Sequence, residues 1–172
     1  MFLSYIKDFF LKRILKNRLY NVKISSSKAI IQKVCLLIDE SYFFKKEALV
    51  NELIANGISQ NNIKIIVYRD KLKKNEQYSQ PTFGIKHINW RGKMTNPILK
   101  DFINEQFDLL ISYYDVEKAF LLTFTHNSKA HFKVGFSSID KRLNHLMINI
   151  NVENYKVFAN ELFRYLKILN KI

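Results

Sequence analysis

A three-layer αβα sandwich around a mostly parallel, Rossmann-like sheet of five or six strands is the fold class this 172-residue sequence predicts. Two observations carry the expectation. VCLLID (34–39) and FDLLISYY (107–114) are short, almost wholly apolar runs, as expected for strands buried on both faces. Such runs alternate with amphipathic stretches of helical period. The segment FDLLISYYDVEKAFLLTFTHNSKAHFKVGF (107–136) is a complete strand–helix–strand unit, the connection a parallel strand pair requires.

In chain order, FLSYIKDFFLKRILKNRLY (2–20) reads as a helix, with Leu3, Ile6, Phe10 and Ile14 at helical spacing among basic residues. Asp8 and Lys12 interrupt it, so it is neither a secretory signal nor an apolar span of about 20 residues. ISSSK (24–28) is a polar joint, which divides the chain into a basic helix (1–23) and a single α/β domain (29–172). VCLLID is the first strand. SYFFKKEALVNELIANG (41–57) is a helix with Ser41 as its cap, Phe44, Ala48 and Leu53 in the core, and Gly57 at its stop. NIKIIVY (62–68) is the second strand.

RDKLKKNEQYSQPTFG (69–84) is irregular and polar and offers no crossover helix. IKHINW (85–90) is a short strand candidate. Asn96 caps a helix that has Pro97 in its first position and Ile98, Leu99, Phe102 and Ile103 on its apolar face. In the strand–helix–strand unit, Asp115 caps a helix whose stripe begins at Val116 and runs through Ala119, Phe120 and Phe124. LMINI (146–150) is the last strand. The final helix carries Tyr155, Phe158, Ala159, Leu162, Leu166 and Leu169 at intervals of three and four, with Asn151 as its cap.

The composition bounds the function more than it names it. A mean hydropathy of −0.15 excludes a membrane-embedded bundle. Cys35 is the only cysteine and lies in an apolar run, so no intrachain disulfide is possible. The expected state is a buried thiol in a reducing, cytoplasmic setting. The net charge is +13, and residues 1–33 hold eight basic side chains against one acid. Three roles remain open for the N-terminal helix: packing on the domain, lying on an anionic inner-membrane surface, or binding RNA, including the ribosome, through phosphate contacts. For the two partner roles the contacts are Lys7, Lys12, Arg13, Lys16 and Arg18.

No motif names a reaction. Four isolated glycines form neither GxGxxG nor GxxxxGK[ST], so no dinucleotide or P-loop cofactor is expected. The four histidines lack zinc spacing, and no GxSxG elbow is present. In a parallel sheet, ligands meet the carboxyl ends of the strands. That edge brings forward Asp39, Glu40, Asp70, Trp90, Arg91, Lys93, Tyr114 and Asp115 as candidates for a sugar or nucleotide. The alternative is that Asp39 and Asp115 cap the helices after them and Trp90 plugs the sheet edge.

INWRGK (88–93 with its flank), FDLLISYY, SKAHFKVGF followed by DKRLNHLMINI, and FANELFRYLKILNK resemble a family of small flavobacterial (Bacteroidota) proteins defined by a domain of unknown function. The resemblance implies a cytoplasmic α/β protein without a cofactor and assigns no activity. FDLLI and SKAHFKVGF are also similar to the strand–helix–strand of heptosyltransferase-like glycosyltransferases, which implies nucleotide-sugar chemistry. DESYF stands here where those enzymes have a glycine-rich loop. Together these observations favour a binding or accessory protein that uses its N-terminal helix on an anionic partner, with a Rossmann-type or glycosyltransferase-like domain as the alternative.

Overall fold

The computed structural model describes residues 2–19, 30–73 and 76–172. The polar joint at 24–28, and with it the proposed division of the chain, lies outside the described residues. Six strands form one all-parallel sheet: β1 (Val34–Asp39), β2 (Ile63–Tyr68), β3 (Thr82–Phe83), β4 (Leu109–Tyr113), β5 (Phe132–Phe136) and β6 (Leu146–Ile148). Their order is β3-β2-β1-β4-β5-β6. The α-helices are α1 (Phe2–Arg18), α2 (Lys46–Ala55), α3 (Pro97–Asn104), α4 (Ala119–Asn127) and α5 (Tyr155–Ile168). This is the expected α/β sandwich. Its strand order reverses between β1 and β4, the switch point where doubly wound sheets open a crevice at their carboxyl edge.

Successive strand side chains point to opposite faces, and β4 shows both layers. Tyr113 packs on Phe158 of α5 with ring centroids 5.0 Å apart, while Ser112 Oγ lies 3.1 Å from Thr125 Oγ1 of α4. α2 packs against α5 on the first side, and α1 packs against α4 on the second. Every residue of β1 and β4 is buried, which accounts for their unbroken apolar runs. Phe43 and Phe136 join Tyr113 and Phe158 in one aromatic cluster. Cys35 is fully buried, and burial pushes its thiol pKa up, as for an inert thiol.

Several local expectations are corrected. α2 begins at Lys46 rather than near Ser41, so Phe43 enters the core and Phe44 is 77% exposed. Residues 85–87 form a 3-10 turn, and the third strand is the two-residue β3 just before it. α4 begins at Ala119, and neither Asp115 nor its N-cap Lys118 supplies a side-chain cap; Val116 is half exposed. α5 begins at Tyr155, and Asn151 bonds the Glu153 amide in the preceding turn instead of capping the helix. Ile98 and Leu169, assigned to apolar faces, are about half exposed. The Asn96 cap holds, its side-chain oxygen accepting from Ile98 N at 2.9 Å.

Gly135 on β5 sits under Asn144. A Cβ there would lie 2.6 Å from Asn144 Nδ2, and among the described residues neither polar atom of that buried amide has a hydrogen-bond partner. Gly135→Ala is therefore expected to cost about 1–3 kcal/mol by overpacking. Adding Asn144→Ala removes the obstructing amide and breaks no hydrogen bond, so the double variant should be more stable than Gly135→Ala alone. Urea midpoints of the two single variants and the double check this.

Candidate functional site

The carboxyl edge at the switch point is built around Lys118, which follows β4. Its ammonium lies 2.7 Å from Asp39 Oδ2, at the end of β1, and 2.9 Å from Asp70 Oδ2, just after β2. It also sits over two rings, 4.5 Å from the centroid of Tyr42 and 4.9 Å from that of Tyr68. The Lys118 and Asp39 side chains are 10% and 6% exposed, so this cation is held in a cage of two carboxylates and two π faces. The second oxygen of Asp39 accepts from Ser41 N at 2.9 Å, which fixes the turn carrying Tyr42. Burial pushes the Tyr68 hydroxyl pKa up, and neighbouring Asp70 adds to the rise, so Tyr68 stays a neutral donor.

A cavity of about 450 Å³ opens beside this cage, with α1 forming one of its walls. Tyr68, Lys118 and Asp70 line it from the sheet edge; Ser4, Tyr5, Asp8 and Lys12 line it from α1. α1 is held there by its one acid. Asp8 Oδ1 accepts from Ala119 N, at the start of α4, at 2.6 Å, and its other oxygen pairs with Lys12 at 2.8 Å. A carboxylate on the first turn of α4 opposes the positive end of that helix. The cap expected from Asp115 thus comes from a different part of the chain.

Of the edge candidates, only Asp70 lines the cavity, and Asp39 stands behind it through Lys118. Glu40 is consumed by structure, one oxygen on Arg69 at 2.9 Å and the other on Lys46 at 2.6 Å. Tyr114 is buried beneath α4, its hydroxyl 2.8 Å from Thr125 Oγ1. Asp115 is half-buried, and its backbone carbonyl accepts from Ser138 Oγ. Trp90, Arg91 and Lys93 belong to a turn organised by Asn89, whose side-chain oxygen accepts from Arg91 N and Lys93 N. Trp90 is half exposed rather than an edge plug, and Lys7 Nζ lies 5.8 Å from its ring centroid. The alternative in which Asp39 and Asp115 cap their own helices is not what the structure shows.

α1 turns Leu11 and Leu15 inward, Leu19 just past its end is buried with them, and Leu3, Tyr5, Phe9 and Phe10 are left exposed. The buried stripe is therefore not the one expected from Leu3, Ile6, Phe10 and Ile14. Its cations divide. Lys7 is half-buried and donates to the Ile85 carbonyl, and Lys12 is paired with Asp8. Lys16 stays about half exposed, 3.6 Å from Glu117. Arg13 and Arg18 are exposed. Among the described residues, no helix is long and apolar enough to cross a membrane, and no group of three His, Cys, Asp or Glu side chains could hold a metal ion.

Sequence reading missed Lys118, Tyr42, Tyr68 and Asp8 as site residues. Two of the four carried a signal. Lys118 is a charge set against an otherwise apolar run, KAFLL, and Asp8 is the single acid among residues 1–33. A family model described as "Family of unknown function (DUF6913)" matches residues 7–169. No curated protein and no solved structure matches the chain.

Proposed function

The chain belongs to DUF6913, a family of unknown function, and we propose that it is a binding protein which attaches peripherally to an anionic bilayer through the outer face of α1. The exposed face of that helix carries the reading. Leu3, Tyr5, Phe9 and Phe10 are uncovered along its first half, and Arg13, Lys16 and Arg18 follow along its second. An apolar patch next to cations suits the boundary between acyl chains and phosphate headgroups, where the rings leave water and the cations meet negative charge. Exposed Trp90 flanks the helix on the side of Lys7, and exposed Tyr42 shares the cavity with Tyr5. Both residue types favour that boundary.

RNA fits the same surface less well. Leu3 has no π face, and the Phe9 and Phe10 rings stand at 80° to one another, so they offer no parallel platform for successive bases. The cytoplasmic face of the inner membrane is the surface this reading selects, because anionic lipid there attracts basic segments.

The test is co-sedimentation with phosphatidylcholine vesicles, with and without phosphatidylglycerol. Deleting α1 is a poor variant, since it would strip the cover from α4. Phe9→Ser and Arg13→Glu change exposed side chains and should leave the unfolding midpoint in place. The chain is expected on the anionic vesicles only. Phe9→Ser should weaken binding about tenfold or more, as expected for losing one buried ring. Equal binding by wild type and both variants would defeat the reading. Retention on RNA without vesicle binding would reassign the surface to nucleic acid.

A further inference from the structure

We infer that the turn at 89–93 is a second bilayer contact, in which Arg91 and Lys93, with Arg18 of α1, hold the phosphates of anionic lipid headgroups while the Trp90 ring enters the boundary beside them. The inference rests on the membrane reading of α1 and extends it to what fixes the roll of that helix on the surface. The turn runs alongside α1. Lys7 Nζ lies 5.8 Å from the Trp90 ring centroid, and a Cβ on Gly92 would lie 3.9 Å from Arg18 Nη1 and from Leu11 Cδ2. Leu3 and Phe10, both exposed, stand four residues before and three after Lys7, so they are its neighbours on the helix surface. The Trp90 ring, 52% exposed, therefore adjoins the apolar part of the outer face of α1.

The cations set the chemistry of the ligand. Arg18, Arg91 and Lys93 are exposed, and among the described residues none of them is ion-paired. The sequence holds no Asp or Glu from Gln77 to Lys100, so the turn brings no acid of its own. His126 registers the positive field around Arg18: burial lowers its pKa, and Lys133 and Arg18 lower it further. The backbone of the turn is already set. Asn89 Oδ1 accepts from Arg91 N at 3.0 Å and Lys93 N at 2.9 Å, and Asn89 N donates to the Lys93 carbonyl. Binding therefore orders side chains only. An indole beside guanidinium and ammonium groups suits the lipid boundary, where the ring lies at headgroup level and the cations meet phosphate. A phosphate free in solution would engage the cations and leave the ring in water.

Trp90 is the only tryptophan of the chain, so its fluorescence reports this turn alone. Titrating the full chain with vesicles of phosphatidylglycerol in phosphatidylcholine should shift its emission to the blue and shield it from acrylamide. Phosphatidylcholine alone should do neither. Arg91→Gln with Lys93→Gln should weaken vesicle binding about tenfold or more, since each cation near an anionic surface is worth about fivefold. Arg91→Lys with Lys93→Arg keeps both charges and should bind as wild type does. Both variants should keep the wild-type unfolding midpoint, because the changed side chains are exposed. The second contact would be overturned, and the role of α1 left standing, by one pattern of results. In it wild type binds and Phe9→Ser binds more weakly, yet Trp90 stays open to acrylamide or the Gln variant binds equally. No vesicle binding by wild type would defeat both readings. A blue shift with glycerol 3-phosphate or with single-stranded RNA, and none with vesicles, would overturn the lipid assignment and move the turn to that ligand.

Discussion

Lys118→Met is expected to destabilise the fold by about 3–5 kcal/mol, because it strands a buried carboxylate. Asp39 is 6% exposed on its side chain, and Lys118 at 2.7 Å is the cation that neutralises it. Methionine preserves the length and apolar stem of lysine, so the loss is electrostatic rather than a cavity. Among the described residues, what remains for the Asp39 carboxylate is the single donor Ser41 N. Neutralising that carboxylate as well should return part of the loss: Lys118→Met with Asp39→Asn is expected to be more stable than Lys118→Met alone. The same change at Lys16, whose pairing with Glu117 is 3.6 Å and half exposed, should stay within about 1 kcal/mol. Urea unfolding of the three variants beside wild type measures all of these. A Lys118→Met midpoint as close to wild type as that of Lys16→Met would show that water, not the ion pair, solvates Asp39.

Lys118 also marks the limit of what the sequence could disclose. β1 and β4 were legible because both faces of each are covered, which leaves a run of apolar residues with no polar alternation to misread. α3 was legible because its cap is local, Asn96 bonding an amide two residues on. α4 was misread at its start because its first amide is satisfied by Asp8, 111 residues earlier in the chain. No local rule anticipates that bond. α2 was misread by a few residues, and that error moved the expected core from Phe43 to Phe44. At the edge, Asp39 and Asp70 were found because strand ends are predictable. The lysine between them was not, because only the β1–β4 adjacency brings 39, 70 and 118 together. Glu40, Trp90 and Arg91 also stand near strand or turn ends, yet their partners are structural or lie on another face.

The C-terminal helix was the most regular stripe in the sequence, and it carries the other large effect. Phe158, Leu162 and Leu166 are all fully buried, and Phe158 stacks on Phe136 of β5 at 5.0 Å. Leu162→Ala removes apolar area and leaves a cavity that packed neighbours cannot close, for an expected loss of about 2–5 kcal/mol. A domain of this size has a net stability of only about 5–15 kcal/mol. Deleting residues 152–172 goes further. It uncovers the aromatic cluster on that face of the sheet, removes the Lys171 carbonyl that accepts from Ile31 N, and takes away the Val152 carbonyl that holds the Tyr113 hydroxyl. The truncated chain should therefore fail to fold as a soluble, cooperative unit. A detachable helix waiting for another protein would behave differently: its removal would leave a folded monomer with an unchanged midpoint and only lost association. Urea transitions of Leu162→Ala and of the truncated chain, at several protein concentrations, separate the two. An unchanged midpoint in the truncated chain would rule out a core role for α5.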